Sequence, residues 1–130
     1  MTGRGIPDHV RRFVAANIDS VGTLEVLLLL RDQRERDWTA GDVARELRSG
    51  TDPAADRLAY LRGRGLLSDA ASEKPSFRYA PSRPDIARAV DDLASCYATR
   101  RVRVISLIYS KPSDQVLTFG DAFRIRRPPD

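Results

Sequence analysis

The sequence predicts a mostly helical protein with one small β-hairpin, an α+β fold, and three observations carry that expectation. Apolar residues recur at helical spacing over much of the 130 residues. Residues 38–67, WTAGDVARELRSGTDPAADRLAYLRGRGLL, read as two short helices joined by a tight turn and closed by Gly65, Leu66 and Leu67. Two short runs with strand character then flank DAASEKPS at 69–76, a polar, turn-rich stretch suited to a hairpin tip.

The elements follow in chain order. After Pro7, the spacing of Val10, Phe13, Val14 and Ile18 predicts a first helix. Ser20 is placed to cap a second, whose run Val26 to Leu30 is apolar nearly all round and so belongs at the centre of the core. Thr39 caps the third helix, with Asp42 three residues on as a variant capping box and Val43, Ala44 and Leu47 as its apolar stripe. Ser49, Gly50 and Thr51 form the turn. Asp52 is then expected to cap the fourth helix, with Pro53 in its first position and Ala55, Leu58 and Leu61 facing inward. Leu66 to Ser68 and Phe77 to Ala80 are the expected strands. Beyond Pro84 no Gly or Pro occurs until Pro112, and a continuous helix there would be about 25 residues, about 38 Å. Ile86, Val90, Leu93 and Tyr97 form its stripe, which breaks near Thr99 to Arg101 and resumes at Val102, Ile105 and Ile108. Val116, Phe119 and Phe123 predict a short last helix before a basic tail.

Composition narrows the function classes. With 42% hydrophobic and 31% charged residues, the chain has the makeup of a soluble globular domain. Its longest apolar run is far shorter than the roughly 20 residues of a membrane span. The N-terminus lacks the apolar stretch of a signal peptide and Cys96 has no partner cysteine, so a cytoplasmic location is expected. Residues 1–99 carry 15 basic and 15 acidic side chains, and the net charge of +4 lies beyond them, at Arg100, Arg101, Arg103 and the tail. Catalysis finds no Ser/His/Asp set, glycine-rich phosphate loop or carboxylate pair in a plausible cleft, so no enzyme is expected, and no cofactor is implied. His9 stands without a second ligand for a metal. Cys96 reads as a small packed side chain, and Trp38 as a plug between hairpin and core.

Helix, helix, helix, hairpin, long helix is the order of a winged helix-turn-helix. Residues 7–81 would form that unit, and 82–130 a C-terminal helical extension for dimerisation or docking. Thr39, Val43, Ala44, Leu47, Leu58, Leu61, Gly65, Leu66 and Leu67 make residues 20–80 resemble winged-helix transcription regulators, especially the MarR type. These are core and turn positions, so the resemblance speaks for the fold more than for what the fold binds.

The resemblance implies double-stranded DNA as partner, and a homodimer built through helices flanking the reading head. The face offered to the major groove would include Thr51, Asp52, Ala54, Asp56 and Arg57, with Tyr60 further along. Only Arg57 among these is a usual base reader. Arg45, Arg48, Arg62, Arg64, Lys74 and Arg78 would touch phosphates. The alternatives are structural: Arg57 paired with Asp56 or Glu46, Arg62 and Arg64 on carbonyls at a helix end, and Lys74 only solubilising. The aspartates of the fourth helix and the neutral first 99 residues favour a rival expectation, a winged helix that binds protein rather than DNA.

Overall fold

The computed structural model describes residues 5–70 and 74–110, as α1 (Asp8–Asn17), α2 (Val21–Asp32), α3 (Ala40–Leu47), α4 (Thr51–Gly63), β1 (Leu67–Asp69), β2 (Phe77–Tyr79), α5 (Pro84–Thr99) and α6 (Arg101–Ser110). The expected last helix and the basic tail lie outside the described residues, as do positions 71–73 of the hairpin tip.

The core is organised around α2. Ser20 Oγ accepts from the Thr23 N–H at 3.1 Å and starts the helix. Its apolar run then contributes to more than one interface: Leu24, Val26, Leu27 and Leu30 are buried, and Leu28 and Leu29 are half-buried against the same core. α2 lies against α3, α4 and β2, while α1, which meets it at 110°, packs on α5 and α6.

The helix-turn-helix forms as its capping residues predict, with one shift. Thr39 Oγ1 accepts from the Asp42 N–H at 3.0 Å, and the Asp42 carboxylate accepts from the Thr39 N–H at 3.1 Å. The capping box is therefore complete. That backbone donor is the chief reason the Asp42 carboxyl is held below its ordinary value, with the Thr39 hydroxyl, Arg36 and Arg45 assisting. α3 ends at Arg48 in the left-handed region (φ 56°), where glycine is the usual residue. α4 then starts earlier than expected. The Gly50 carbonyl accepts from the Ala54 N–H, making Gly50 the N-cap, and Asp52 makes no cap hydrogen bond. Pro53 is thus the third helical residue, still among the N–H positions that a helix leaves unbonded. A Cβ at position 50 would sit 3.1 Å from Pro53 Cδ, so this tight start suits glycine.

Leu67 pairs with Tyr79, Ser68 with Arg78 and Asp69 with Phe77 in an antiparallel hairpin. Bonds from Ala80 N to Leu66 O and from Ala70 N to Ser76 O carry the pairing past both ends. Gly65, at φ +81°, turns the chain into β1, and a Cβ there would meet Ser82 Oγ at 2.9 Å. Trp38 fills the space between this wing and the core, as its sequence position predicts. It is fully buried, and its N–H and C=O exchange 2.8 Å bonds with Phe77 across the other edge of β2.

The helix expected over 85–110 is divided. Arg100 leaves helical geometry (φ −135°, ψ 51°), and α6 starts anew and packs on both α5 and α1. The break resets the apolar phase. Val90, Leu93 and Cys96 are buried on α5, but on α6 the buried residues are Val104 and Ile108, whereas Val102 of the expected stripe is 75% exposed.

Candidate nucleic-acid interface

The phase of α4 decides what its open face carries. Ala54, Leu58 and Leu61 are fully buried and Ala55 is half-buried, so the core stripe runs through position 54 rather than 55. Ala54 therefore leaves the expected DNA face. At 3.6 residues per turn, the side opposite this stripe holds Asp52, Asp56, Ala59 and Gly63, all exposed. The face is open and carries no cation.

Arg57, the expected base reader, sits on the flank. It is half-buried, and its guanidinium lies over Gly22 at the start of α2, where a Cβ would come within 2.5 Å of Cζ. A glycine at 22 is what lets the two helices hold the arginine between them. Among the described residues Arg57 makes no ion pair, with Asp56, Glu46 or any other carboxylate. It borders a small cleft with Asp19, Asp56 and Tyr60. Burial, with Asp19 adding to it, raises the Tyr60 hydroxyl above its ordinary value.

Four of the expected phosphate contacts hold partners within the fold. Arg45 bonds Asp42 at 2.6 Å, Arg62 bonds Asp69 at 3.1 Å and Arg78 bonds Asp37 at 2.7 Å. Arg64 donates to Asn17 Oδ1 and to the Ala16 carbonyl at the end of α1, some 47 residues away in sequence, not to the end of its own helix. Arg48 and Thr51 are exposed beside the turn, and Lys74 is exposed on the wing. The turn thus brings Arg48 and Thr51 to the start of α4, with Arg57 and Arg62 on its two flanks. Arg64 is directed away toward α1.

Elsewhere His9 Nε2 meets Asp92 Oδ2 at 2.6 Å, joining α1 to α5. Burial pushes the Cys96 thiol up, opposed only in part by Arg100, the opposite of what a reactive thiolate needs. Among the described residues no group of His, Cys, Asp and Glu is placed to hold a metal ion. A groove of ≈ 730 Å³ opens between α1 and α5, bordered by Phe13, Ile86 and several arginines. Among the described residues no single helix is long and apolar enough to cross a membrane.

No protein-family model and no curated protein matches the chain. Among solved structures, a MarR family protein from Bacillus stearothermophilus aligns with a TM-score of 0.51 at 16% identity, over 90% of this chain and 79% of that one. The fold is a MarR-like winged helix. The expected α+β class and the resemblance are both borne out at that level. In that order of elements α4 is the second helix of the helix-turn-helix and the β1–β2 hairpin is the wing.

The phase of α4 and the pairing of the arginines escaped the sequence. Adjacent alanines at 54 and 55 look alike to any hydropathy pattern. The partners of Arg62, Arg64 and Arg78 lie on other elements, so no local spacing announces them.

Proposed function

We propose that the protein is a DNA-binding transcriptional regulator of winged-helix type that acts as a homodimer in the cytoplasm. The observation that carries this reading is the open outward face of α4 in the recognition position, bordered by Arg48 and Arg57, neither of which has an ion pair among the described residues. Duplex DNA is held mainly through its phosphates, so cations along the edges of a reading helix serve it even when the centre carries none. Arg57 then becomes a backbone contact rather than a base reader. Arg45, Arg62 and Arg78 reach phosphate by exchanging an exposed carboxylate for it; surface pairs of this kind hold by about 1 kcal/mol or less.

Titration of random-sequence duplex at low salt tests the reading. Binding is expected, and Arg57→Ala is expected to weaken it uniformly across sequences while lowering the salt slope by about two, one for each protomer of the dimer. Arg101→Ala serves as the comparison. Loss of binding only in that variant moves the contact from the reading head to α6, and a wild-type chain that ignores duplex at low salt overturns the proposal.

The homodimer reading rests on α6. Val102 and Tyr109 are 75% and 77% exposed, and their spacing of seven puts them on one face of the helix. A second copy is the proposed cover. Light scattering is expected to give a dimer for the wild type and a monomer for a Val102→Glu, Tyr109→Ser double variant; a monomeric wild type ends this part of the proposal.

A second reading, a winged helix that docks a protein, is favoured by the carboxylates of Asp52 and Asp56 on the α4 face. Co-purification of a cationic partner that Asp56→Lys abolishes, without any duplex binding, is the outcome that selects it.

A further inference from the structure

We propose that Asp56, seconded by Asp52, selects bases by accepting a hydrogen bond from the N4 amino group of cytosine in the major groove. This assignment rests on the DNA-binding reading above. The usual expectation is that aspartates on a reading helix only repel the duplex. Three features of α4 point instead to a selective role.

The first is placement. Asp52 and Asp56 stand one turn apart on the side of α4 opposite the buried Ala54, Leu58 and Leu61. Both are exposed, and the side chain of neither makes a hydrogen bond or ion pair among the described residues, although Arg57 and Arg62 lie on the same helix and Arg62 is paired with Asp69 instead. The carboxylates are thus kept open while the carboxylates of Asp37, Asp42 and Asp69 are used.

The second is clearance. The remaining outward positions are Ala59 and Gly63. No side chain on that face is longer than a carboxylate, so the helix backbone can descend toward the groove floor until a short aspartate reaches a base edge. An arginine or glutamine at 59 or 63 would hold it off.

The third is the arrangement of charge across the helix. Arg57 lies on one flank and Arg62 on the other, with Arg48 and Thr51 at the turn. A major groove has the same cross-section: base edges on its floor and phosphates on its walls. Cations at the edges and acceptors at the centre match it.

The chemistry then selects the base. A carboxylate only accepts. In the major groove guanine offers N7 and O6, and thymine offers O4, all acceptors that repel it. Adenine offers an N6 amino donor but sets the N7 acceptor beside it. Cytosine offers the N4 amino group alone. The carboxylate also opposes every other sequence by repulsion, so specificity arises as much from rejection as from attraction.

Selection from a randomised duplex pool with the full chain tests this. The wild type is expected to enrich cytosine at a defined position, and Asp56→Ala to lose that preference, a change on the order of tenfold. The same variant is expected to bind random duplex several-fold more tightly. Asp56→Asn, equal in size, is expected to shift the preference toward adenine, whose N6 and N7 match an amide. Asp56 is exposed, and circular dichroism of both variants checks that the fold persists. If the wild type binds no duplex at low salt, the DNA reading and this assignment fall together. If it binds and Asp56→Ala selects the same sequences, or binds random duplex less well, only the assignment is overturned.

Discussion

Raising salt from 50 to 200 mM is expected to weaken duplex binding about a hundredfold. The magnitude follows from the cations at the reading head. Arg48 and Arg57, which have no ion pair among the described residues, supply two per protomer, and a dimer presents four. Four neutralised phosphates give a slope of about −3.6 in a plot of log affinity against log salt. The ion-paired arginines make this a sharp measurement. If Arg45, Arg62 and Arg78 leave Asp42, Asp69 and Asp37 for the duplex, the slope steepens well beyond that value. If the chain binds as a monomer, it is halved. A slope near zero excludes phosphate contact and with it the proposed function.

Replacing Trp38 with alanine is expected to cost about 3–5 kcal/mol, the range for emptying a large buried aromatic site. That is a large share of the total for a single domain, commonly about 5–15 kcal/mol. The indole is fully buried where the wing meets the core, and its backbone is the outer partner of β2. Its removal therefore loosens the wing as well as the core. Trp38→Phe is expected to lose less than half as much. The ring is smaller, but the indole Nε1 it removes is buried without a hydrogen-bond partner among the described residues, and a buried unbonded donor is itself destabilising. Chemical denaturation followed by circular dichroism measures both. A loss under about 1 kcal/mol in Trp38→Ala would show that the wing is held by its own hairpin.

Local rules make the scaffold legible from sequence. Thr39 with Asp42, Ser20 with Thr23, Pro84 at the start of α5 and Gly65 before the wing each act within a few residues, and each appears where its chemistry predicts. The division of the C-terminal helix is legible in part, because the apolar stripe falters at Thr99 to Arg101. The phase beyond it is not, since one non-helical residue at Arg100 turns Val104 inward in place of Val102. The candidate site is less legible still. Its character depends on which of two alanines faces the core, on a glycine in α2 that admits Arg57, and on carboxylates 7 to 41 residues from the arginines they hold. Such facts belong to tertiary packing, which no single window of sequence contains.

Trp38 is the one tryptophan of the chain, and the Arg36 guanidinium lies over its ring, 3.8 Å from the centroid. The protein therefore carries its own optical label at the joint between wing and core. Emission from an indole shielded from water and capped by a cation reports whether that joint is closed, without any added dye. A wing that swings out on a duplex would shift the emission to the red, and one that stays seated would leave the colour unchanged while the helices do the binding.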